Sequence, residues 1–116
     1  MGAFSDTEFD LEPQRVKELV EGGEAQLIDV REQYEWDAGR IPGAAHINLE
    51  ALGNRTGEID KDRPVIFQCR IGNRSAFATE VFRNAGYDAF NLAGGIEAWA
   101  AAGLPLEPEG GEVAPH

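Results

Sequence analysis

The sequence has a single cysteine, Cys69, so no disulfide can form within the chain. It has two histidines, His46 and His116, the second at the very end. One thiol and two imidazoles at that spacing cannot build a structural metal site, and no metal or cofactor is expected. No apolar run approaches the length of about 20 residues that a membrane-spanning helix needs. The N-terminus shows no signal-peptide pattern, which makes the cytoplasm the expected location. Met1-Gly2 resembles the start of a myristoylation signal, but Asp6 stands where Ser or Thr is required. Positive charge is scarce: 10 bases face 21 acids, for a net charge of −11. That argues against nucleic acids and anionic membranes as partners, and neither is expected, since both need a basic surface. No Gly-x-Ser-x-Gly elbow is present, so a Ser-His-Asp triad has nothing to start from.

The length of 116 residues suits one domain, and 42% hydrophobic residues suffice for a core. The few bases are unevenly placed. Between Lys61 and Arg83 stand Lys61, Arg63, Arg70, Arg74 and Arg83, against only Asp62 and Glu80. This is the one positive section of an acidic chain, and Cys69 lies inside it. Val65-Ile66-Phe67 reads as a short buried strand leading to Cys69. After Ser75 the pattern turns helical, with Ala78, Val81, Phe82 and Ala85 on one face and Gly86 as a stop. The thiol therefore sits on a loop between a strand's end and a helix's start. Free N–H groups and the helix dipole favour a thiolate there, and neighbouring guanidinium groups act in the same direction. The loop Cys69-Arg70-Ile71-Gly72-Asn73-Arg74 can wrap its amides around the sulfur, with Gly72 allowing the turn. The same cup suits an oxyanion carried on that sulfur.

Taken in order, residues 1–10 read as an N-terminal arm with a possible edge strand near residues 9–11. Pro13, Val16, Leu19 and Val20 mark a helix that Gly22-Gly23 ends. Residues 25–30 read as a buried strand, 31–38 as a short helix, 45–47 as a very short strand, and 50–52 as the start of another helix. A strand at 89–92 precedes the Gly94-Gly95 turn and a last helix marked by Ile96, Trp99 and Ala100. Residues 11–106 form the expected domain, and 107–116, rich in Pro, Gly and Glu, an expected flexible tail. Strands alternating with helices predict an α/β fold with a mostly parallel sheet covered on both faces. In such folds sites form at the carboxyl ends of strands, where Cys69, Asp29 and the Gly94-Gly95 turn all fall. Asp29 and Arg31, two apart on an extended chain, point the same way and suit structural support by ion pairing. His46 lies in an apolar strand and suits a core or rim position better than a Cys-His pair.

Three stretches together resemble the single-domain rhodanese family of sulfurtransferases. Asp29-Val30-Arg31-Glu32 followed by Ala38-Gly39-Arg40-Ile41-Pro42-Gly43-Ala44 resembles its N-terminal signature. Cys69-Arg70-Ile71-Gly72-Asn73-Arg74-Ser75 resembles its active-site loop, and Leu92-Ala93-Gly94-Gly95-Ile96-Glu97-Ala98-Trp99 its C-terminal signature. Arg40 stands where the family usually has His, and Gln33 where Pro is common, with no catalytic consequence expected. The resemblance implies a sheet of about five strands and Cys69 as nucleophile. It implies that Cys69 takes the outer sulfur of thiosulfate or a protein persulfide donor and passes it to a thiol or cyanide. The amides of Arg70, Ile71, Gly72, Asn73, Arg74 and Ser75 are then expected to cradle the persulfide. Arg70 is expected to meet the donor's anionic end, and Arg74 either braces the loop or contacts the anion. A related-fold phosphatase or arsenate reductase ranks lower, because those enzymes place arginine six positions after the cysteine, where this chain has Ser75. A sulfur relay or a regulatory binding module with a dedicated protein partner is the remaining alternative.

Overall fold

The computed structural model describes residues 8–115. Five strands make one sheet: Asp10–Leu11 (β1), Gln26–Asp29 (β2), Ala45–His46 (β3), Val65–Gln68 (β4) and Ala89–Leu92 (β5). Their order across the sheet is β1-β5-β4-β2-β3, and every neighbouring pair is parallel. Five helices connect them: Pro13–Glu21 (α1), Gln33–Ala38 (α2), Leu49–Leu52 (α3), Asn73–Asn84 (α4) and Gly95–Ala101 (α5). The α/β fold with a parallel sheet is thus as expected. Among the described residues no helix is long and apolar enough to cross a membrane.

The alternation of side chains along each strand divides the core in two. Leu27, Ile66, Phe90 and Leu92 face α1 and α5, where Val16, Leu19, Ile96 and Trp99 cover them. Ile28, Val65, Phe67, Cys69 and Ala89 face the other way, toward Leu52 of α3 and Ala78 and Phe82 of α4. With both faces covered, β4 and β5 are buried along their whole length, which is why Val65-Ile66-Phe67 reads as a continuous apolar run and β5 is apolar apart from Asn91. Trp99 is core, as expected, with its indole N–H donating to the Pro105 carbonyl at 2.8 Å.

Two details depart from the sequence reading. Helix α4 starts at Asn73, earlier than the expected start after Ser75. Its buried stripe is Ser75, Ala78, Thr79 and Phe82, whereas Val81 and Ala85, expected on the apolar face, are exposed. The hydroxyls explain this: Thr79 Oγ1 reaches the Ser75 and Phe90 carbonyls at 2.8 and 3.1 Å, so a polar side chain occupies the interior without an orphaned group. The arm lies outside the described residues except for its last three. The tail meets the body: Arg40 and Glu107 exchange backbone hydrogen bonds at 2.8 and 2.7 Å, and the Glu112 N–H donates to the Ala38 carbonyl at 2.9 Å. Gly39 permits the approach, since a Cβ there would stand 2.4 Å from the Glu112 oxygen.

The chain runs outward from β2 to β3, returns across the sheet to β4, and continues to β5 on the other side. The direction of winding therefore reverses between β2 and β4. In an open parallel sheet this switch point leaves a crevice at the strands' carboxyl ends. Asp29 closes β2 there, and Cys69 follows β4.

Candidate active site

The sulfur of Cys69 is met by three donors: the Gly72 amide at 3.2 Å, the Ser75 amide at 3.4 Å and the Ser75 hydroxyl at 3.4 Å. The turn that produces this needs Gly72, whose φ of 103° lies in the left-handed region that a Cβ disfavours. Ser75 sits in the first turn of α4, where amides have no helical partner and are free to face the sulfur. Cys69 is only 1% exposed, yet it lines a cavity of about 230 Å³ together with Arg70, Ile71, Asn73 and Arg74. The nucleophile expected from the sequence is therefore recessed at the floor of an open pocket rather than sealed in the core. The two amides converging on one buried atom favour negative charge there without needing to reorganise.

The remaining loop residues divide by position. Gly72 and Ser75 approach the sulfur, whereas Ile71 and Asn73 are exposed at the pocket's rim. Arg74 turns its guanidinium onto Glu35 of α2, with Nη1 and Nη2 donating to the two carboxylate oxygens at 2.8 and 3.0 Å. Glu35 is fully buried, and it also accepts the Glu32 amide at 3.0 Å, closing a capping box on α2. The hydrogen bonds Arg74 donates to Glu35 hold its pKa above the ordinary value, with smaller contributions in the same direction from the charges of Glu35, Cys69 and Asp29, against the opposing effect of burial. Arg74 is therefore a fixed cation braced from behind. Arg70 differs: one contact of 3.2 Å links Nη2 to the half-exposed Glu97, and its buried Nε has no hydrogen-bond partner.

Asp29 and Arg31 lie on the other face of the sheet end. Arg31 Nε and Nη2 donate to the Asp29 carboxylate at 2.9 and 2.8 Å, Nη2 also reaches the Gly39 carbonyl at 2.8 Å, and both side chains are wholly buried. His46 stacks on Trp36 at 5.0 Å and lies 2.7 Å from the Arg31 carbonyl, so its contacts are with α2 and the segment leading into it rather than with the sulfur. The Gly94-Gly95 turn does converge on the site. The Ile96 and Glu97 amides donate to the Cys69 and Arg70 carbonyls at 2.9 and 3.0 Å. A Cβ at Gly95 would stand 2.3 Å from the Cys69 carbonyl.

The sequence reading missed Glu35 and Asn91. Asn91 accepts the Ser75 hydroxyl and donates to Gly72 and Asp10. Its signal was available, since it is a lone amide in the apolar strand Ala89-Phe90-Asn91-Leu92. Glu35 carried no such signal in a stretch already rich in acids, apart from its spacing from Glu32.

A recessed thiol ringed by amides at the switch point of a parallel sheet defines a cysteine-centred α/β domain. The family model that matches the chain, described as a rhodanese-like domain, spans residues 12–102, and the protein belongs to that family. Over 111 residues the chain is 33% identical to the thiosulfate sulfurtransferase GlpE of Pseudomonas aeruginosa, covering 95% of this chain and 99% of that protein. Over 94 residues it is 40% identical to a sulfurtransferase of Allochromatium vinosum, covering 79% and 88% of the two. Among solved structures, a rhodanese-related protein of Thermoplasma volcanium aligns with a TM-score of 0.78 at 26% identity, over 84% of this chain and 96% of that one.

Proposed function

We propose that the protein is a sulfurtransferase that carries a sulfane sulfur on Cys69, with thiosulfate as its small-molecule donor. The observation that carries this reading is the set of donors on the Cys69 sulfur, two amides and a hydroxyl, at the floor of an open cavity. The thiolate attacks the outer sulfur of thiosulfate. A new S–S bond forms at Cys69 as the sulfur–sulfur bond of thiosulfate breaks, and sulfite leaves with the electron pair. The persulfide anion then gives its terminal sulfur to cyanide or to a thiolate, which restores the Cys69 thiolate. The chain holds no second cysteine, so that acceptor comes from outside it.

The amides of Gly72 and Ser75 hold the charge of the thiolate and, after transfer, of the persulfide. Arg70, with an uncommitted Nε beside the pocket, binds the sulfonate oxygens of the donor. Arg74 braces the loop through Glu35 and adds fixed positive charge. Asp29 and Arg31 support the site from the opposite face of the sheet. The relatives named as sulfurtransferases support the reaction class, and one named for thiosulfate supports the donor. A reducing cytoplasm, which keeps a lone thiol free, suits this chemistry. The same persulfide could be loaded or discharged by a partner protein, which would make the domain a relay.

The test is sulfur transfer from thiosulfate to cyanide, followed as thiocyanate and sulfite. Equimolar release of both, abolished in Cys69→Ser, is the expected result. Turnover of p-nitrophenyl phosphate with none on thiosulfate would overturn the reading in favour of phosphoryl chemistry.

A further inference from the structure

The Ser75 hydroxyl has one hydrogen and two claimants. Its oxygen lies 2.5 Å from Asn91 Oδ1 and 3.4 Å from the Cys69 sulfur. Asn91 cannot present its other end to Ser75, because its Nδ2 donates to Asp10 Oδ1 at 2.9 Å and to the Gly72 carbonyl at 3.2 Å. Turning the amide over would set its oxygen against two other oxygens, so the hydrogen-bond network fixes the orientation. Asn91 is 4% exposed and Ser75 wholly buried, so neither side chain can exchange its partner for bulk water.

These contacts have different consequences for the two states of the thiol. While Cys69 is protonated, the Ser75 hydroxyl donates to Asn91, and its lone pairs can accept the S–H. Once Cys69 is a thiolate, the sulfur needs donors, and the hydroxyl serves it only by giving up Asn91. Breaking the shorter of the two contacts is a cost charged against ionisation. We propose that Asn91 is a positioning residue that restrains ionisation of Cys69 by competing with the sulfur for the single hydroxyl proton of Ser75. The proposal takes Cys69 as the reacting group, as above, and adds a residue from a different strand that does not line the pocket.

Arg70 and Arg74 flank the loop, the first paired with Glu97 of α5 and the second with Glu35 of α2. Asp29 of β2 acts on Arg74 from the sheet, and Asp10 of β1 holds the far side of Asn91. Replacing Asn91 by an uncharged residue leaves every charge in place but also frees Asp10 Oδ1 and the Gly72 carbonyl, so the comparison with the Ser75→Ala background is what isolates the hydroxyl.

The experiment is the rate of Cys69 alkylation by iodoacetamide as a function of pH, in the native protein, Asn91→Leu, Ser75→Ala and the double variant. In Asn91→Leu the half-rise of the rate should move to lower pH, with alkylation at least about threefold faster one unit below the native half-rise. In Ser75→Ala it should move to higher pH, and adding Asn91→Leu to that background should produce no further shift. An unmoved or upward half-rise in Asn91→Leu overturns the proposal, as does a downward shift that persists without the Ser75 hydroxyl. Asn91→Ala, which removes the same amide with less bulk, is read identically if the leucine variant does not fold. Ser75→Ala deletes a single oxygen, and an unchanged profile in that variant alone also overturns the proposal. Alkylation needs no sulfur donor. A protein that takes no sulfur from thiosulfate but shows these shifts would contradict the proposed function and leave this inference standing.

Discussion

The carboxyl ends of β2 and β4 lie side by side, yet they handle polarity in opposite ways. The end of β2 buries a full ion pair, Asp29 with Arg31, whose partners are each other and the Gly39 carbonyl. The end of β4 surrounds its sulfur with neutral donors and leaves one side open to a cavity. A closed ion pair holds geometry, because either charge alone in that interior would be severely destabilising. Neutral donors around the sulfur suit a charge that comes and goes in the proposed reaction. The charged residues nearest the sulfur are thus mostly braces, while uncharged groups make the direct contacts to it.

This contrast can be broken from either side. The largest effect is expected at β2: Asp29→Ala leaves Arg31 charged and unpaired, costing about 3–5 kcal/mol. Thermal or urea unfolding would read that directly, and a loss under about 1 kcal/mol would show that the pair is not a brace. Glu35→Gln keeps the shape of the Arg74 contact and removes its charge. A loss of about 1–3 kcal/mol is expected, since a buried charge-assisted pair is weakened but not emptied. Arg70→Ala should leave the melting temperature almost unchanged, because the Glu97 contact is half-exposed, while raising the KM for thiosulfate more than it lowers kcat. An unchanged KM with a large drop in melting temperature would assign Arg70 to the braces instead. The smallest effect is expected far from the site, at Arg55 and Glu58. The hydrogen bond from Arg55 holds the exposed Glu58 carboxyl below its ordinary pKa. That stabilisation is present above the ordinary glutamate range and is lost as pH falls through the lower folded value. Arg55→Ala should therefore change unfolding slightly at pH 7 and not at all at strongly acid pH, in paired melts at the two conditions.

Much of this architecture was legible before any coordinates. Apolar runs separated by amphipathic segments gave the parallel sheet, because strands covered on both faces have no polar side to interrupt them. The loop around Cys69 was legible for a local reason: a strand's end, a glycine and a helix's start all fall within seven residues of sequence. The Asp29–Arg31 brace was legible too, since its members are two residues apart, but the Glu35 and Asn91 contacts were not, because their partners are remote along the chain. Glu35 and Arg74 are 39 residues apart, and Ser75 and Asn91 are 16 apart, so only the closed sheet reveals them. The outer face of α4 was misread for a related reason. Val81 has the hydrophobicity of a core residue, but the turn it occupies is set by Ser75 and Thr79, whose hydroxyls find carbonyl partners inside. The fit of residues 107–112 against residues 38–40 was hidden as well, since it rests on backbone hydrogen bonds and on the missing Cβ of Gly39.

The most direct test is the intact mass of the protein after brief exposure to thiosulfate and removal of the excess. A pocket built to hold a second sulfur on Cys69 predicts a gain of one sulfur atom, about 32 Da, that cyanide removes and that Cys69→Ser never acquires. An unchanged mass in the native protein, or the same gain in Cys69→Ser, would contradict it.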